Sequence, residues 1–108
     1  MPYECHLKDV FNVSAGVSSP SHTTPNSIRH ILETINKFEC PKKDFHDYIQ
    51  DIQEFKGCAY AYSLIHDYSH GAMRQQKAVT AEMVVDACKK VIAFINSKYS
   101  GQVEAVQT

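Results

Sequence analysis

Seven residues, Phe45, Tyr48, Ile52, Phe55, Ala59, Tyr62 and His66, follow one another at spacings of 3, 4, 3, 4, 3 and 4. Only a helix brings such a series onto one face, so the middle of the chain is expected to be helical. The seam passes Gly57 without a change of phase. An interior glycine costs about 1 kcal/mol, whereas a turn that happened to preserve the phase would be a coincidence. One helix from about 44 to 70, capped by Asp44, is therefore expected. The competing reading makes Gly57 a C-terminal cap and gives four helices instead of three.

Two more helices flank it. Pro25 suits a first helical turn, with Thr24 as its cap, and Ile28, Ile31, Leu32, Ile35 and Phe38 then form one stripe that ends at Cys40-Pro41. Beyond Gly71 and a link from Ala72 to Val79, Thr80 caps a last helix through about Tyr99, closed by Ser100-Gly101. Its stripe of Val84, Cys88, Val91 and Ile95 is widened by Met83, Ala87, Ile92 and Phe94. A single hairpin partner covers too little of so broad an arc, so homo-oligomerisation is expected to complete a helical bundle.

The expected fold is all-α: a short N-terminal helix and a long antiparallel helical hairpin. Residues 1–23 read as a flexible N-terminal arm because small polar and turn-forming types fill 12–26. Within it, Leu7, Val10, Phe11 and Val13 offer enough apolar surface for a short element to dock. Residues 24–101 form the helical domain and 102–108 a frayed tail.

Four glycines and four prolines in 108 residues argue against a sandwich or barrel. The 11 basic and 12 acidic side chains leave no cationic excess, so nucleic acid is not an expected partner. No apolar run is long enough for a membrane span and the N-terminus lacks the order of a secretory signal, which together suggest a cytoplasmic chain. Cys5, Cys40, Cys58 and Cys88 make no CxxC pair and read as reduced thiols.

Three groups of residues have chemistry to offer. Tyr48, Tyr60, Tyr62 and Tyr68 lie on the expected second helix, with Tyr60 and Tyr68 off its seam, where large rings supply contact area at little entropic cost. Together with Arg74 and Lys77 of the link, they would bind a small anionic ligand such as a nucleotide by stacking and charge-assisted hydrogen bonds. His66 and His70, at i and i+4, form the second group and resemble the paired histidines of zinc peptidases. Asp67 stands where the glutamate of HExxH would be, and no third ligand is evident. The box His66-Asp67-Tyr68 also resembles the phosphoacceptor box of sensor-kinase dimerisation helices, which implies a nucleophilic histidine. The asparagine or threonine and the proline usual after it are absent. The third group, Glu82 and Asp86 with Asp47, Asp51 and Glu54, has the spacing of the paired acidic motifs of all-helical nucleotide pyrophosphohydrolases. Their doubled-glutamate run is missing, so these acids read as solvated faces.

The function expected from this pattern is non-catalytic: a small regulatory or inhibitory protein that binds a protein partner or sequesters a small anionic ligand, with no cofactor. The alternative is a metal-binding or phosphotransfer hairpin centred on His66 and His70.

Overall fold

The computed structural model describes residues 2–56 and 80–106, and among these there is no strand. Five α-helices follow in order: α1 (Tyr3–Ser14), α2 (Thr24–Glu39), α3 (Phe45–Gln50), α4 (Ala81–Lys98) and α5 (Ser100–Val106), with a 3-10 turn at Gln53–Phe55 after α3. No described helix is long and apolar enough to cross a membrane.

The N-terminal segment is the main departure from expectation. Tyr3–Ser14 is a helix that packs on α2, α4 and α5 and buries Leu7, Val10 and Val13. It ends in a glycine cap. Gly16 takes φ +80°, the Val17 amide reaches back to the Asn12 carbonyl at 2.9 Å and the Gly16 amide to Val13 at 3.2 Å. The expected arm thus shrinks to the connection over 15–23. Twelve residues are too few for a stable isolated helix, so α1 owes its order to the faces it lies on.

That docking also answers the breadth of the apolar arc on α4. Val84, Ala87, Cys88, Val91, Phe94 and Ile95 are buried within one chain, while Met83 and Ile92 at the margins of the arc stay half-buried. Cys88 shows what this enclosure does. Burial, with the Asp9 carboxylate nearby, pushes its thiol up to about 12, and a protonated thiol is a poor nucleophile. Iodoacetamide at pH 7.5 should therefore alkylate the exposed Cys5 in the native protein and reach Cys88 only after denaturation. Peptide mapping of the modified chain checks this.

α2 matches its expected bounds and buries Ile28, Ile31, Leu32 and Ile35. Its cap differs: Thr23 is the N-cap residue without a side-chain bond, while the Thr24 hydroxyl accepts from the Ser21 amide at 3.0 Å. α4 is capped as expected, with the Met83 amide on Thr80 Oγ1 at 3.1 Å.

The continuous helix from 44 to 70 is corrected. Asp44 caps α3 as expected, accepting from the His46 amide at 3.0 Å, but α3 stops at Gln50 and Ile52 is extended, with φ −69° and ψ 119°. The Asp51 and Ile52 amides close short turns on Tyr48 and Ile49, and Lys56 Nζ satisfies the Gln50 carbonyl at 3.0 Å. Tyr48, Ile52 and Phe55 keep their places on the buried side through this change of backbone, together with Ile49. Periodicity reported burial; the hydrogen-bond pattern followed tertiary fit. A long hairpin arm running unbroken through this segment is excluded.

The C-terminus is corrected too. The chain breaks at Tyr99 (φ −139°, ψ 64°), but α5 resumes at once and buries Val103 and Val106, so the part of the expected frayed tail up to 106 is a docked helix.

Candidate functional site

The end of α2 sits where α1, α3 and the α4–α5 break converge. At 100° per residue, Glu39 falls about 30° from the centre of the Ile28–Ile35 stripe and Phe38 roughly 70° from it. The helix therefore aims a carboxylate inward and leaves an aromatic ring at the edge.

Glu39 is met by three donors. Tyr48 of α3 donates its hydroxyl to Oε1 at 3.2 Å, Tyr99 donates to Oε2, and Lys98 Nζ lies 3.4 Å from Oε1. The kink at Tyr99 is what turns its ring onto α2. Burial, and then the adjacent Glu39 charge, raise the Tyr48 pKa well above the usual phenol range, so its hydroxyl remains a donor. Phe94 supports the group from below, edge-on to Tyr48 at 6.4 Å and with Lys98 Nζ 5.6 Å from its ring centre. With its oxygens engaged this way, Glu39 acts as a structural acceptor that ties α2 to α3 and α4. A mixed-charge groove of about 330 Å³ runs along this side, where Lys43 pairs with Asp51.

Phe38, by contrast, is 82% exposed, although the sequence placed it on the buried stripe. It borders an apolar groove of about 260 Å³ whose other walls are Tyr3, Thr34, Ile35, Tyr99 and Gln102. Tyr3 donates its hydroxyl to Gln102 Oε1 at 2.7 Å, which pins the start of α1 to α5. A surface of this kind is suited to taking up an apolar side chain.

A second polar cluster joins α1 to α2. Ser27 Oγ donates to Asp9 Oδ2 at 2.8 Å and lies 3.0 Å from His6 Nδ1, while the His6 ring stacks on His30 with centroids 4.2 Å apart. The residue types are those of a hydrolase triad but the roles are not. The serine proton is directed at the aspartate, and Ser27 is 1% exposed, so no substrate carbonyl can approach its oxygen.

All the binding residues expected from the sequence, Tyr60, Tyr68, Arg74 and Lys77, and the metal candidates His66 and His70, lie outside the described residues. Of the acidic third group, Asp51 pairs with Lys43 and Asp86 with Lys90. Among the described residues no three histidine, cysteine or acidic side chains are placed to hold a metal ion. Sequence reasoning passed over Tyr3, Glu39 and Tyr99. The signal for Glu39 was present, since it stands four residues after Ile35 on the buried line of the helix. Tyr3 and Tyr99 gave none, because their meeting on α2 depends on how α1 and the α4–α5 break fold back. No family model, curated protein or solved structure matches this chain.

Proposed function

We propose that this protein is a small non-catalytic regulatory or inhibitory module that binds a protein partner through the Phe38 face. The observation that supports this reading is the pairing of an 82% exposed aromatic ring with an apolar groove beside it. Single exposed apolar residues are ordinary on protein surfaces. A phenylalanine beside a groove walled by two tyrosines has instead the makeup of an interface centre, in which a few aromatic anchors carry most of the binding energy. The rim groups Tyr3, Thr34 and Gln102 favour a partner segment that presents one apolar side chain flanked by hydrogen-bonding groups.

The test compares affinity capture from the native cell by wild type and by Phe38→Ser. Because the ring is exposed, the variant should melt within about 0.5 kcal/mol of wild type. A partner held by wild type should be lost by the variant, with affinity reduced at least about tenfold. Equal capture by both proteins sinks the proposal. Sedimentation of the two proteins checks whether the partner is a second copy of the chain.

A further inference from the structure

The cluster between α1 and α2 has a property that its packing role does not require. Ser27 has one proton and gives it to Asp9, so at the 3.0 Å contact His6 must be the donor through Nδ1. Neutral His6 is thereby held as its Nδ1–H tautomer, and an added proton would go to Nε2. His6 is 5% exposed, and its ring lies against that of His30 across the helix interface, at 4.2 Å and an interplanar angle of 33°.

We propose that His6, stacked on His30 and bonded to Ser27, is an acid-sensitive latch, which holds α1 on α2 while its buried ring is neutral and releases it when that ring takes up a proton. Each helix packed on His6 contributes to this balance. From α1 comes Asp9, which favours the charged ring; α2 brings His30, which opposes it, and the Ser27 hydroxyl; α4 brings Cys88 up to Asp9 with its neutral thiol. Burial is the largest influence and His30 the next, and together they outweigh Asp9, so the His6 pKa is lowered. The open chain then takes up protons near pH 6.5 that the closed form resists. Closure is fully favoured above that value and weakens as the pH falls below it. Opening would expose Leu7, Val10 and Val13 and uncover part of α4. It would also withdraw Tyr3 from the groove beside Phe38. The latch is a property of the free chain and stands or falls independently of any partner at that groove.

Amide hydrogen exchange tests it at pH 7.5 and 5.0, with rates corrected for intrinsic exchange. The amides of Leu7 and Val10 should lose protection severalfold on acidification, because the open form takes up the proton that the closed form resists. His30→Phe, which keeps a ring for stacking but cannot charge, should lose less than wild type does, while the burial of His6 still opposes its protonation. His6→Gln, which keeps a donor for Ser27 and has no ring to charge, should lose less than about twofold, and it serves if the first variant does not fold. Unchanged protection in wild type overturns the latch, and so does an equal acid loss in wild type and the variants. An independent reading needs no variant: in an NMR titration His6 should protonate below the ordinary histidine value of about 6.5. A His6 midpoint at or above that value overturns the proposal.

Discussion

Leu7→Ala should destabilise the protein by about 2–5 kcal/mol, the cost of deleting a fully buried leucine whose surroundings close only partly over the gap. Leu7 is 3% exposed on the inner face of α1, among Val10 and Val13 and against α2 and α4. Urea denaturation should show a lower midpoint with an unchanged slope. Val17→Ala, just beyond the same helix and 73% exposed, should fall within about 0.5 kcal/mol of wild type. The contrast separates two pictures of the N-terminus. If residues 1–23 were a flexible arm, the two substitutions would be equally silent; with α1 as the cover of α4, only Leu7 matters.

The second large effect is expected at Glu39. Glu39→Ala removes the acceptor for Tyr48 and Tyr99 and the partner of Lys98 in one step, and it leaves the Tyr48 hydroxyl enclosed without a bond. A cost of about 2–3 kcal/mol is expected, since an unsatisfied buried donor loses its hydration with nothing in exchange. Glu39→Gln keeps one acceptor oxygen and should cost about 1 kcal/mol. Adding Tyr48→Phe to Glu39→Ala should bring back part of the loss, because the stranded hydroxyl goes with it, and a double-mutant cycle by urea denaturation measures that coupling. Additive losses would show that the carboxylate and Tyr48 act separately. The direction of the Tyr48 shift adds a pH signature. A phenol whose folded pKa is raised contributes stability in full below about pH 10 and loses it as the pH rises further, so Tyr48→Phe should narrow the alkaline loss seen in wild type.

If α1 is both the cover of the core and the wall of the Phe38 groove, folding and recognition share one element. Tyr3 makes the connection: its hydroxyl holds Gln102 on α5 while its ring lines the groove. A partner seated there would bind only the closed form, so its affinity would be linked to the docking of α1. The proposed histidine latch would act on that same equilibrium from the other end of the interface.

The helical class and the bounds of α2 were legible in the sequence, because a stripe at 3.6-residue spacing with Pro25 in its first turn and Cys40-Pro41 beyond its last is local information. The caps at Asp44 and Thr80 were legible for the same reason: each is a side chain bonding an amide two or three residues on. Tertiary structure decided the rest. The 3-4 spacing of Phe45, Tyr48, Ile52 and Phe55 identified which side chains face inward, yet an α-turn followed by a 3-10 turn buries Tyr48, Ile52 and Phe55, and Ile49 with them, and leaves Phe45 half-buried. α1 and α5 are too short to be stable alone, and their order comes from faces supplied by distant segments, which local propensity does not contain. Phe38 lies toward the same edge of its stripe as Ile31, which is fully buried, so the spacing alone does not tell which edge residue is covered. The exposure of Phe38 follows from where α2 runs past its cover, a property of the assembled helices.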